Sequence, residues 1–96
     1  MKTMNRGKIT YVDAQAMAVK HPKTFEVPST EELASIEPGC FVKVCTGRER
    51  FWVLVTEIRG NIVTGKVDNK LFTVPLRLGQ SISFDKKNIY SVMGVK

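Results

Sequence analysis

Phe51-Trp52-Val53-Leu54-Val55 is apolar without a break, with Gly47 before it and Gly60-Asn61 after it. A strand with one wet face alternates apolar and polar residues, so an unbroken run this short reads as a strand covered on both sides. Phe51, Val53 and Val55 share one face, and Trp52, Leu54, Thr56 and Ile58 share the other. One set fills a core. The other needs a cover from elsewhere in the chain.

Further strands fall on both sides of this run. Residues 40–45 read as a first strand, 50–58 as the second and longest, and 62–68 as the third. Arg59-Gly60-Asn61 makes the tight hairpin turn between the last two. Residues 69–79 form a longer connection containing Pro75, with a short edge strand over 71–74. Ser81-Ile82-Ser83-Phe84 alternates and predicts a half-buried strand. Asp85-Lys86-Lys87-Asn88 turns the chain into a last strand over 89–93. Gly65 lies inside a strand, which predicts a bulge or a close backbone approach.

Ahead of the strands, residues 1–8 read as a loose basic arm. Thr10 and Asp13 give a T-x-x-D start signal for a helix over 11–20, and His21-Pro22 ends it. Ser29 with Glu32 caps a second, short helix, and Pro38-Gly39 marks the boundary to the strands. Val12, Ala16 and Val19 fall at i, i+4 and i+7 and form one apolar stripe. That stripe is the available cover for the outer face of the second strand. Trp52 is then the structural keystone between strands and helix, because a buried tryptophan dominates such contacts. Its functional alternative is a stacking platform for a base or a peptide.

The fold class expected is mainly β (α+β). Short strands joined by tight turns suit a five-stranded antiparallel barrel, because closure removes exposed edges. By analogy of strand lengths the barrel is SH3-like. It covers residues 39–96, and residues 1–38 supply the N-terminal helical cap within one domain overall. A chain of 96 residues supports a single core without metal or disulfide staples. The longest apolar run is five residues, too short to span a bilayer. No apolar segment follows the basic N-terminus, which points to a cytoplasmic protein rather than a secreted one.

Little in the chain carries chemistry. Cys40 and Cys45 are an odd number of residues apart on one strand, which points them to opposite faces. With His21 as the only further soft ligand, they do not make a zinc site. His21 has no nucleophile or carboxylate pair nearby to act with. The glycines lack the spacing of a phosphate loop. Asp68-Asn69 is turn chemistry. No cofactor and no enzymatic activity are implied.

Charge is uneven. Residues 1–24 carry net +4, residues 25–38 net −4 and residues 39–96 net +6. The acidic segment is expected to lie against the basic strands of the same molecule. Arg48, Arg50, Arg59, Lys86 and Lys87 form the candidate interaction surface, on the expectation that their turns converge at one end of the barrel. The first functional expectation is a non-enzymatic binding or adaptor module with a protein or peptide partner. The alternative is nucleic-acid binding through those basic loops, mostly by phosphate contacts. Exposed aromatics interleaved with the charge, which single-strand readers use, are limited in the sequence to Phe72 and Tyr90.

Several spaced blocks also look familiar. Pro38-Gly39-Cys40-Phe41-Val42-Lys43-Val44, Glu49-Arg50-Phe51-Trp52-Val53, Thr64-Gly65-Lys66-Val67-Asp68-Asn69, Leu78-Gly79-Gln80-Ser81-Ile82 and Asn88-Ile89-Tyr90 resemble the YegJ-like bacterial domain of unknown function. The similarity spans roughly residues 33–93. An acid often found after the first glycine is Cys40 here, and Gln80 replaces another. The resemblance implies a domain type and no catalytic residues.

Overall fold

The computed structural model describes residues 9–23, 26–47 and 49–93. Two short helices, α1 (Ala14–Lys20) and α2 (Thr30–Ala34), precede five strands: β1 (Phe41–Cys45), β2 (Arg50–Arg59), β3 (Ile62–Val67), β4 (Ser81–Asp85) and β5 (Ile89–Met93). A single turn of 3-10 helix, Lys86–Asn88, joins β4 to β5. The expected strand over 71–74 does not form. That stretch is a series of bends, held by side chains described below.

All pairings are antiparallel, in the order β4-β3-β2-β1-β5. The sheet is not closed, because β4 and β5 are its two edges. Yet those edges are joined by three residues of 3-10 helix, which span only about 6 Å. The sheet therefore curls until its edges approach at one end without pairing. Phe84 of β4 and Ile89 of β5 accordingly lie in the same core.

Two bulges help the curl, since each inserts an unopposed residue and increases the local twist. In one, Thr56 is the extra residue between Val55↔Gly65 and Glu57↔Thr64, and in the other Tyr90 is the extra residue between Lys43↔Ser91 and Val44↔Ile89. The Thr56 bulge also shifts the phase of β2. Ile58 thus packs on the core instead of sharing the face of Trp52 and Leu54. Gly65 sits opposite Val55 beside this bulge. A Cβ there would lie 2.5 Å from the Leu54 carbonyl oxygen and 2.6 Å from Val53 Cγ1, so only glycine lets the strands meet.

The inner face is sealed. Val42 and Val44 from β1, Phe51, Val53 and Val55 from β2, and Val63 and Val67 from β3 are buried with Ile82, Phe84 and Ile89. Ile36 joins this core, and Leu33 of α2 packs against it. Ser29 and Glu32 form the predicted reciprocal capping box at the start of α2.

The first helix departs from expectation. Its N-cap is Asp13, whose Oδ1 accepts from the Ala16 amide at 2.9 Å, so the helix begins at Ala14 and not near Thr10. It packs on the 3-10 turn rather than on β2. Ala14 is fully buried, whereas Ala16 is exposed and Val19 is 81% exposed. The stripe Val12-Ala16-Val19 is therefore not the buried one. Main-chain anchoring explains the placement. The Val12 amide donates to the Cys45 carbonyl at 2.8 Å, and Asn88 Nδ2 donates to the Val12 carbonyl at 3.0 Å. Tyr11 then sets its ring 5.6 Å from that of Phe84, where burial pushes its hydroxyl pKa up. These bonds fix the chain ahead of α1 at the end of the sheet and leave the Trp52 face without its expected cover. Trp52 is not a keystone between strands and helix.

Candidate binding face

The outer face can be built rung by rung from the strand registers. Met93, Phe41, Leu54, Lys66 and Ser81 make one rung across β5, β1, β2, β3 and β4. Ser91, Lys43 and Trp52 make the next, and Cys45 and Arg50 the third. Successive rungs are two residues apart along a strand, about 6.7 Å. The period-2 alternation that sends Val42, Val44, Phe51 and Val53 inward sends Phe41, Lys43, Arg50, Trp52 and Leu54 outward.

Aromatic rings and cations meet on this face. Lys43 Nζ lies 4.9 Å from the centroid of the Trp52 ring, and the Arg50 guanidinium carbon lies 4.9 Å from that of Tyr90. Such contacts are worth about 0.5–1 kcal/mol where solvent reaches them. Burial, with a hydrogen bond to Cys45 and that group's charge, pushes the Tyr90 hydroxyl pKa up, while Arg50 pulls the other way. Phe41, Trp52, Asp68 and Met93 line a surface pocket of about 170 Å³. Trp52 is half-buried and forms part of that wall.

The backbone under the tryptophan is fixed from the β3 side. Trp52 N–H donates to Asn69 Oδ1 at 2.6 Å, and the Asp68 amide donates to the Trp52 carbonyl at 2.9 Å. The local turn chemistry expected of Asp68-Asn69 is not the role of Asn69, whose side chain accepts from β2 instead of from its own turn.

Of the five cations singled out in the sequence, four lie on described residues, and β2 separates Arg50 from Arg59. Arg48 lies outside the described residues. Arg50 opens β2 on the outer face, while Arg59 closes the same strand nine residues on and is bridged to Glu57. Lys86 and Lys87 line a separate cleft with Gln15, Thr30, Leu33 and Asn61. The Lys86 amide donates to the Asn61 carbonyl at 2.8 Å, which sets the 3-10 turn beside the hairpin turn that follows Arg59. Strand length is what separates Arg50 from Arg59. A ten-residue β2 puts its two turns at opposite ends, roughly 30 Å apart along the strand.

The acidic segment does approach the sheet. Glu26 and Glu32 line a cleft with Tyr90, Ser91 and Val92 along β5. Glu32 is already engaged with the Ser29 amide, and among the described residues the one ion pair is Arg59–Glu57. Cys40 and Cys45 are both buried free thiols. Among the described residues no three His, Cys, Asp or Glu side chains cluster so as to hold a metal, and no helix is long and apolar enough to cross a membrane.

Two residues escaped the sequence reading. Lys43 could have been found by pairing β1 with β2 through the turn between them, which sets it opposite Trp52. Glu49 had no such signal, because its partners are more than twenty residues away in the 69–80 connection. Comparison with protein-family models, curated proteins and solved structures finds no match to the chain.

Proposed function

We propose that the protein is a non-enzymatic binding module that takes an acidic peptide segment of a partner protein on the outer sheet face. The observation that carries this reading is the surface pocket of Phe41, Trp52, Asp68 and Met93, with Lys43, Arg50 and Lys66 on the same sheet face. An apolar anchor in the pocket removes aromatic surface from water, and acidic residues beside it meet the three cations. Selection from a random displayed-peptide library against the intact protein tests it. Enriched sequences should place an aliphatic or aromatic residue next to Asp or Glu, and Trp52→Ala and Lys43→Glu should each abolish capture. Enrichment that ignores acidic residues, or that survives Trp52→Ala, would discard the reading.

The architecture we propose for this module is a partly open SH3-like barrel. The order β4-β3-β2-β1-β5 and the single 3-10 turn between the two edge strands support it. The YegJ-like resemblance over residues 33–93 is likewise a proposal, resting on the sequence blocks quoted above. The two free thiols fit a reducing, cytoplasmic compartment.

Single-stranded nucleic acid is the second reading, and one observation favours it. Phe41, Trp52 and Tyr90 share a face with Lys43, Arg50 and Lys66, which is the interleaving of rings and cations that single-strand binders use. It predicts that labelled oligo(dT) binds more tightly than duplex DNA, with a log–log salt slope of about −0.7 per phosphate neutralised. Equal or absent binding of the two at low salt would remove it.

A further inference from the structure

The connection between β3 and β4 is held open by one carboxylate. Glu49 Oε1 accepts from the Phe72 amide at 3.0 Å, the Thr73 amide at 2.9 Å and the Thr73 hydroxyl at 3.0 Å. Its Oε2 accepts from the Phe72 amide at 3.1 Å. Among the described residues no cation bridges this carboxylate. It is held by converging main-chain dipoles, an arrangement of successive N–H groups that makes an anion-binding concavity. The group is open to water, and so is the Phe72 ring beside it, 82% exposed.

Both halves of the arrangement are fixed by other bonds. On one side, Glu49 N–H donates to Thr46 Oγ1 at 3.3 Å and the Thr46 amide donates to the Glu49 carbonyl at 3.1 Å. On the other, Asn69 is tied to Trp52, Val74 is buried, and the Leu76 amide donates to the Val74 carbonyl at 2.8 Å. The donors at 72–73 are therefore bracketed by anchors that do not involve Glu49.

We propose that the 72–74 turn is a carboxylate-binding site in its own right, that Glu49 is its resident ligand, and that a carboxylate from another molecule exchanges for it. The chemistry recognised is a free carboxylate, because its two oxygens match the two amides and the hydroxyl without needing a cation. Backbone concavities of this kind capture chain-terminal carboxylates of peptides, and exposed Phe72 offers apolar contact for the residue that carries one. In the native chain Glu49 acts as a built-in competitor at high effective concentration, which keeps the site closed to dilute anions. This site is separate from the outer sheet face and does not depend on its reading.

The test uses ¹H–¹⁵N spectra of the full chain at neutral pH and constant ionic strength. In Glu49→Ala, acetate should shift the Phe72, Thr73 and Val74 amides saturably while chloride does not, and the wild type should show the same shifts only at much higher acetate. A tetrapeptide with a free C-terminus and an apolar last residue should bind the variant about tenfold more tightly than acetate, and its C-terminal amide should not bind. Equal affinity for acetate and the free-ended peptide would restrict the site to small carboxylates. Chloride shifts matching those of acetate, or no saturable shift with any carboxylate, would overturn the proposal. So would random-coil positions for these amides in Glu49→Ala that acetate fails to restore. Glu49→Gln, whose amide still fills the space, should keep the turn ordered and respond to acetate less than Glu49→Ala.

Discussion

Both faces of the β1–β2 pair carry large apolar side chains, and they end in different states. On the inner face Val42, Val44, Phe51, Val53 and Val55 are each no more than 1% exposed. On the outer face Phe41, Trp52 and Leu54 remain half-buried, with Lys43 lying over the tryptophan. The inner set is sealed because the sheet curls on itself, bringing Phe84 and Ile89 from its two edges over the same core. The outer set is left because the N-terminal helix is tied by main-chain bonds to Cys45 and Asn88 at the end of the sheet. An apolar side chain on a strand is therefore not buried by its apolarity alone. What other segments are tethered to decides which face they can reach.

The contrast between faces can be broken most directly at Phe51. Phe51→Ala on the sealed face should cost about 3–5 kcal/mol in urea unfolding, since the cavity cannot fill with water or collapse easily. A loss under 1 kcal/mol would show that the inner face is not close-packed. Next comes Gly65→Ala, which pushes a methyl into the Leu54 carbonyl at 2.5 Å. Forcing the strands apart at the bulge should cost about 1–3 kcal/mol, and an unchanged midpoint would mean that β2 and β3 slide freely there.

Trp52→Ala sharpens the other side of the comparison. A half-buried ring returns only part of its transfer free energy, so the loss should be about 1–2 kcal/mol, well below that for Phe51. A loss as large as that of Phe51→Ala would place a cover on the outer face in solution. Self-association, readable by sedimentation, would then be the first thing to look for.

The smallest effect concerns pH. The Thr73 amide above all, with the Phe72 and Val74 amides and the Thr73 hydroxyl, holds the Glu49 carboxyl below its ordinary value of 4.5. A depressed folded pKa gives stabilisation that is complete above the unfolded value and disappears as pH falls through the folded one. The Phe72 and Thr73 amide resonances should therefore be constant above about pH 5 and move together below pH 4.5, with no such titration in Glu49→Gln. Movement of those amides near neutral pH instead would contradict the assignment.

Much of the fold could be read locally. Ser29 and Glu32 announce their capping box within four residues, and Gly60-Asn61 marks the hairpin. The alternation in 81–84 gives β4. Gly65 inside a strand gives the close approach. The errors share one cause. Val12, Ala16 and Val19 form a valid stripe, yet the competing set around Ala14 is the buried one, because Tyr11 and Val12 are already anchored elsewhere. Residues 71–74 read as a short edge strand, but Glu49 takes the Phe72 and Thr73 amides. The five cations were grouped on a convergence of turns; the hairpin and 3-10 turns do meet through Lys86 and Asn61, but a ten-residue β2 holds Arg50 and Arg59 at its opposite ends.

By itself, then, the sequence determined a small antiparallel β domain with two capped helices, because caps, turns and period-2 alternation are properties of neighbours along the chain. Tertiary structure alone decided which face of β2 is less buried, where α1 docks, and that Glu49 reaches the connection between β3 and β4. Each of those outcomes depends on which donors and apolar surfaces meet first in space, and residue spacing holds no record of that.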